Sequence, residues 1–198
     1  MASNKAETWR HFCSDIGGEF IEGGIWRSEK VRARVKAWTI TLDTYTSGVG
    51  KDKITYTRMR APFVSRDEFR FTICHKSSFS ELGKYWGLQE DVEVGYPDFD
   101  RDFIIKSNNQ SQAQALFASL KIRQLIKSQP FSVNFGVREE DTTFGSGFLK
   151  GVAELYCEVE GLIEDVERLK SLYELFAETL DHLCKIGSAT EDKPKAVL

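Results

Sequence analysis

The sharpest acidic cluster in the chain is Asp98, Asp100 and Asp102, within Tyr-Pro-Asp-Phe-Asp-Arg-Asp-Phe. Side chains two residues apart share one face of an extended segment, so there the three carboxylates could hold a hard cation or divide acid and base roles. With His75 they would make a metal-dependent, hydrolase-like site. The register fails as a calcium loop, because Phe103 stands where glycine is needed and Asn109 where a bidentate glutamate is needed. Pro97 and the aspartates equally suit a turn whose carboxylates take hydrogen bonds from nearby backbone N–H groups.

Each histidine lies beside or near a cysteine: His11 and Cys13, Cys74 and His75, His182 and Cys184. Helical residues two apart point about 200° away from each other, and adjacent strand residues face opposite sides, so none of these pairs can grip one metal ion from regular structure. The glycine loops are weak phosphate signals. Gly50-Lys51 lacks the earlier glycine of a phosphate loop, since Tyr45 is there, and Asp52 replaces the magnesium-binding hydroxyl. Gly145, Gly147 and Gly151 lead into a strand, not a helix, and so offer no helix N-terminus to an anion. No G-x-S-x-G or H-E-x-x-H occurs, and no cysteine has a protease-like context. No nucleophile, base and orienter stand at a recognisable spacing, which leans away from an enzyme, and no cofactor or metal is called for.

Charge gives a different signal. Lys30, Arg32, Arg34 and Lys36 alternate with Val31, Ala33, Val35 and Ala37, a strand with a basic outer face and the best ligand-binding candidate in the chain. Residues 1–70 hold 13 Lys and Arg against 9 Asp and Glu, while residues 139–192 hold 4 against 14. If the basic strand lies beside the one carrying Glu154, Glu158 and Glu160, cross-strand ion pairs explain the pattern without a ligand. If the two are remote, the ridge is free to attract a phosphate headgroup, nucleic acid or an acidic protein. The net charge of −3 is too near neutral for a protein whose whole surface is built around nucleic acid.

These residues need elements to hold them, and 198 residues at 41% hydrophobic and 29% charged suffice for one globular domain. A helix is predicted over residues 3–16, its stripe Ala6, Trp9, Phe12, Cys13 and Ile16 ending at Gly17-Gly18. Apolar phase slips by one after Ala37 and again between Tyr56 and Met59, which suggests a bulge or bend in each strand and a curved sheet. Phe69, Phe71 and Ile73 make a further strand; so do Phe131 to Val137, Ala153 to Val159 and, more briefly, residues 103–106. Residues 79–86 suggest a short helix, and residues 111–127 a longer one capped by Asn108 or Asn109, with a stripe that rotates at Leu120 to Ile122 and so predicts a kink. The last element is the best defined. Leu162, Val166, Leu169, Tyr173, Phe176, Leu180 and Leu183 recur at helical spacing before Gly187, and Leu172 and Leu175 widen the stripe to suit a sheet, although a homodimer seam would use the same residues.

The stretch Gly83-Lys-Tyr-Trp-Gly-Leu-Gln-Glu-Asp-Val-Glu-Val-Gly95, followed by Tyr96 to Asn108, resembles uncharacterised bacterial proteins of the DUF3137-like family. The likeness continues through Leu116-Phe117 and Ile122-Arg123 and spans about residues 80–128, with departures at Gln89-Glu90-Asp91 and Gly95-Tyr96. It implies a bacterial cytosolic α+β module and transfers no catalytic residue.

The expectation is therefore one α+β domain over residues 1–187, a curved and mainly antiparallel sheet covered by a long C-terminal amphipathic helix, with short inserted helices and a disordered tail over 188–198. Four widely spaced cysteines suit reduced thiols, and no apolar run has the length of a signal peptide or a membrane span, so a cytoplasmic binding module is expected, with a small anionic or apolar ligand or a protein as partner.

Overall fold

The computed structural model describes residues 4–24, 28–48, 53–78, 90–130, 133–138 and 151–194. The expected helix at 79–86 and the glycine loops at 50–51 and 145–147 lie outside the described residues. Among the described residues nine strands form a single open sheet: β1 (Glu19–Ile21), β2 (Lys30–Val35), β3 (Trp38–Ser47), β4 (Ile54–Val64), β5 (Phe71–His75), β6 (Glu90–Asp91), β7 (Phe103–Ser107), β8 (Val133–Arg138) and β9 (Val152–Glu160). Their spatial order is β1-β2-β3-β4-β9-β8-β5-β7-β6, and every neighbouring pair is antiparallel. Five α-helices are described: α1 (Asn4–Ile16), α2 (Pro97–Asp102), α3 (Gln110–Phe117), α4 (Leu120–Lys127) and the long C-terminal α5 (Val166–Lys185). The domain is α+β.

Both slips of apolar phase have local causes. After Val35 the chain turns back through Lys36-Ala37, and Val35 pairs directly with Trp38. A two-residue hairpin puts both paired residues on one face, so the apolar phase passes from odd to even numbers with no bulge. In β4, Met59, Ala61 and Phe63 enter the core while Ile54 and Tyr56 belong to the opposite face, where Tyr56 stacks on Tyr45 with ring centroids 5.2 Å apart. One strand serves two environments, and its register is continuous.

The apolar face carries Val31, Trp38, Ile40, Leu42, Met59, Phe63, Phe71, Phe135 and Leu155, and the helices cover it. Asp165 caps α5 by accepting from the Arg168 N–H at 3.0 Å, and Leu169, Leu172, Leu175, Phe176, Leu180 and Leu183 are buried beneath it. Each such side chain contributes roughly 1.5–3 kcal/mol of gross burial energy. The stripe is thus consumed by the chain's own sheet, and a homodimer through this helix would have to use its polar side. Helix α1 docks beside α5, with Trp9 donating its indole N–H to the Ile163 carbonyl at 3.1 Å. The predicted kink is a full break: α3 ends at Phe117, and Ser119 caps α4 by accepting from the Ile122 N–H.

The end of α5 corrects the expectation of a disordered tail from residue 188. Gly187 takes φ 84°, and the N–H groups of Gly187 and Ser188 return to the carbonyls of Cys184 and Leu183 at 3.1 and 2.9 Å. The chain then runs beside the end of β4, where Arg66 N–H donates to Ser188 O and Thr190 N–H to Val64 O, each at 3.0 Å. Residues 188–194 are a strap laid on the sheet, with Ser188 and Ala189 buried.

Candidate functional site

The second face of the sheet is polar. One line of cross-strand partners runs across all nine strands: Glu19, Arg32, Thr41, Arg60, Tyr156, Gly136, Thr72, Lys106 and Asp91. Parallel to it lies Asp43, Arg58, Glu158, Asn134 and Cys74. Sheet register alone therefore assembles side chains from every part of the chain.

At the centre of this face the charges neutralise one another. Asp43 accepts from Arg58 Nε and Nη2 at 2.9 and 3.0 Å and from Arg60 Nη2 at 2.9 Å, while only 3% exposed. Burial alone pushes the Asp43 carboxyl up, but the Arg58 hydrogen bonds and the charges of Arg60 and Arg58 outweigh it and hold it below the usual range. Glu154 accepts from Arg138 Nε at 3.0 Å and faces Arg60 Nη1 at 3.6 Å, and Arg138 also reaches Glu158 at 3.3 Å. Three arginines thus meet three carboxylates. Tyr156 lies beneath Arg138, whose guanidinium sits 4.2 Å over its ring, and hydrogen-bonds Thr72 at 3.1 Å; burial pushes its hydroxyl up to about 12. Its cross-strand partner is Gly136, where a Cβ would come within 2.2 Å of the Phe71 carbonyl oxygen.

This arrangement decides between the two expectations for the basic strand. β3 and β4 separate β2 from β9, so Glu154 and Glu158 pair with Arg58, Arg60 and Arg138, and not with Lys30, Arg32, Arg34 or Lys36. Arg32 and Arg34 instead line a cavity of about 450 Å³ at the β1–β3 edge, together with Lys193 from the strap, Thr39 and Thr41 from β3, and Glu19 from β1. Among the described residues lining it, three are basic and one is acidic. Its floor needs a glycine: a Cβ at Gly18 would stand 2.9 Å from the Arg32 carbonyl oxygen, so a side chain there would push the end of α1 away from β2.

The other two predicted ligand residues have different places. Lys30 shares the outer face of β2, where burial is the main cause lowering its ammonium pKa; Asp43 opposes the shift, while the charges of Arg60, Arg32 and Arg58 add to it. Lys36 leaves the ridge. It occupies the hairpin turn at φ 52°, and its ammonium pairs with Asp181 of α5 and, at 3.5 Å, with Glu191 of the strap. Hydrogen bonds from Lys185 and then Lys36 bring the Asp181 carboxyl down to about 2. Lys36 is a clamp between hairpin, helix and strap.

The aspartate cluster is also corrected. Residues 97–102 form α2, not an extended segment, so Asp98 and Asp102 lie one turn apart on one side and Asp100 is turned away from both. Asp100 accepts from the N–H groups of Val94, Gly95 and Tyr96 at 3.0, 3.0 and 2.9 Å, and Arg101 engages Asp98 and Asp102 at 3.1 and 3.0 Å. Asp100 is a turn-former. His75 is hydrogen-bonded through Nδ1 to Ser77 Oγ at 2.8 Å. Among the described residues no group of three or more His, Cys, Asp or Glu could hold a metal ion. Cys74 and Cys157 are buried, which pushes their thiols up to about 11 and about 12, far from a reactive thiolate.

Thr39 and Thr41 were legible as the outward partners of Trp38, Ile40 and Leu42, but nothing in composition singled them out. Lys193 had no signal, because its place depends on the strap.

No protein-family model matches the sequence, and no curated protein matches it either. Among solved structures, the mycobacterial trehalose monomycolate transport factor A, TtfA, superposes with a TM-score of 0.56 at 7% identity, over 95% of this chain and 98% of that one. The likeness is one of fold.

Proposed function

We propose that the protein is a non-catalytic, cytoplasmic binding module whose edge cavity takes a small anionic ligand. The observation that carries this reading is the convergence of Arg32, Arg34 and Lys193 on one concavity of about 450 Å³, a volume ordinary for a small-molecule site. Arg34 places its Nε on the Lys36 carbonyl at 3.2 Å, which orients its two terminal nitrogens towards phosphate or carboxylate oxygens, and the Arg32 guanidinium adds positive charge beside it. The hydroxyls of Thr39 and Thr41 add neutral partners for the rest of the ligand. Lys30, on the same strand, extends the field at the cavity's flank.

The shared fold with a transport factor supports holding over transforming, and an anionic lipid headgroup is one source of the charge that a basic cavity would take. Free phosphate is the other. The test is binding of wild type and Arg32→Glu/Arg34→Glu to phosphatidylglycerol vesicles and, separately, to inorganic pyrophosphate. The reading expects the double variant to lose at least tenfold in affinity while still unfolding cooperatively, with a melting temperature lowered by no more than about 4 °C for the loss of the Arg34 Nε hydrogen bond to the Lys36 carbonyl. Response to vesicles alone would assign a headgroup, and response to both a general phosphate site. Wild-type protein that binds neither probe, or a double variant that binds as well as wild type, overturns it.

A further inference from the structure

A cavity made only for negative charge has no use for a carboxylate, yet Glu19 lines the β1–β3 edge cavity together with Arg32, Arg34 and Lys193. Glu19 is the direct cross-strand partner of Arg32, so the two side chains leave the same face of the sheet. Antiparallel partners carry their Cβ atoms about 5 Å apart, within reach of an ion pair. Among the described residues, nonetheless, no cation or hydrogen-bond donor holds the Glu19 carboxylate. Its charge is felt at the cavity floor. Burial is the larger cause raising the pKa of the Cys13 thiol, and the Glu19 charge adds to it; that sulfur lies 3.5 Å from where a Cβ on Gly18 would stand.

A carboxylate so placed sorts anions. It repels a ligand that brings only negative charge, and it gains an ion pair with one that also carries an ammonium. Among the described lining residues, Arg34, Lys193 and Arg32 face the negative end of such a ligand, and Glu19 alone brings negative charge to a positive end. Because Glu19 and Arg32 are neighbours across one strand pair, the two ends of the ligand have to be only a short alkyl chain apart. A phosphate monoester carries a charge of about −1.5 to −2 near pH 7, so one ammonium leaves the molecule a net anion, in keeping with the positive excess of the cavity.

We infer, resting on the anionic reading of this cavity, that its ligand is an aminoalkyl phosphate, of which O-phosphoethanolamine is the simplest. The ammonium pairs with Glu19, and the phosphate lies against Arg34 and Lys193 with the Arg32 charge beside it.

The experiment is calorimetric titration of the full chain with O-phosphoethanolamine and with propyl phosphate, which has a methyl group in place of the ammonium. Wild type should bind O-phosphoethanolamine about fivefold more tightly, the upper end for one exposed ion pair. Glu19→Gln keeps the shape and removes the charge. It should erase the preference by weakening O-phosphoethanolamine, while propyl phosphate binds at least as tightly as to wild type; its melting temperature should stay within about 2 °C, because no described contact is lost. Arg32→Glu/Arg34→Glu should weaken both monoesters. Phosphatidylethanolamine vesicles separate the sources: binding to them as well as to the free compound assigns a lipid headgroup, binding to the free compound alone a soluble ligand, and both results support the inference. Wild type that binds pyrophosphate but does not favour O-phosphoethanolamine over propyl phosphate, or a preference that survives Glu19→Gln, overturns the inference and leaves the anionic cavity standing. Wild type that binds neither monoester and no pyrophosphate overturns both.

Discussion

Replacing Asp43 with asparagine keeps the side chain's shape and removes its charge, leaving Arg58 and Arg60 without the carboxylate that takes three of their hydrogen bonds. Breaking a buried ion pair by neutralising one partner costs about 3–5 kcal/mol, because the other charge stays desolvated. Here the lower end applies: Arg58 is 22% exposed and has the charges of Glu154 and Glu158 within reach, and Arg60 retains Glu154. With a urea slope of about 3 kcal/mol per molar, appropriate to the upper range for single domains, a loss of about 3 kcal/mol lowers the unfolding midpoint by about 1 M at pH 7. The pH dependence is a second signature. Asp43 titrates lower in the folded chain than in the unfolded one, so its contribution is complete above about pH 4, the ordinary aspartate value. As pH falls through that value towards the folded pKa, the unfolded chain takes up the proton first and the contribution fades. The gap between wild type and Asp43→Asn should therefore narrow between about pH 4 and pH 2. A midpoint loss below about 0.3 M with an unchanged slope, or a gap as wide at pH 2.5 as at pH 7, would refute the view that this carboxylate organises the centre of the polar face.

Gly136→Ala should be among the costliest single-methyl additions, because the new Cβ would meet the Phe71 carbonyl oxygen at 2.2 Å and the Thr72 Cα at 3.0 Å. Backbone must move, so a loss of about 3 kcal/mol and roughly 6–12 °C in melting temperature is expected, with faster hydrogen exchange in β5; an unchanged melt would show that β5 and β8 are not paired as described. Asp100→Ala should cost about 1–3 kcal/mol and open the amides of Val94, Gly95 and Tyr96 to exchange, while millimolar Mg²⁺, Ca²⁺ or Mn²⁺ leaves the wild-type melt within about 1 °C. Stabilisation by a divalent ion that disappears in Asp98→Asn/Asp100→Asn/Asp102→Asn would restore the metal reading.

The architecture was largely legible because most of it is written in short periods. The stripe Leu169 to Leu183, the alternation in Phe135 to Val137 and Ala153 to Val159, and the cap at Asn109 each declare an element within fifteen residues. What failed was long-range. The slip after Ala37 signals a hairpin as well as a bulge, and only pairing of Val35 with Trp38 decides it. Asp98, Asp100 and Asp102 share a face only if the segment is extended; Pro97 at the first helical turn and Asp100 reaching back to three N–H groups make it a helix instead. Strand alternation alone puts Arg32 and Arg34 on the outer face of β2; that they line a cavity depends on Gly17-Gly18, on β3 and on the strap, which no local period declares. Lys36 was lost to the turn and Lys193 was missed, both because their partners lie more than a hundred residues away in the chain.

The lopsided charge of the sequence acquires its meaning from strand order. The acidic residues of β9 are inserted between the basic residues of β4 and β8, so the acidic half spends its charge on Arg58, Arg60 and Arg138. β2 lies three strand spacings from β9, roughly 14 Å at about 4.8 Å per spacing. The screening length at physiological salt is about 8 Å, so Glu154 and Glu158 barely reach Arg32 and Arg34 across the sheet. Glu19 is the one acid lining the cavity among the described residues, against three bases. A chain with a formal net charge of −3 thereby keeps a local positive excess at one edge, held on a rigid strand and faced by hydroxyls. Like charges gathered at one edge repel, and a bound anion would relieve that repulsion.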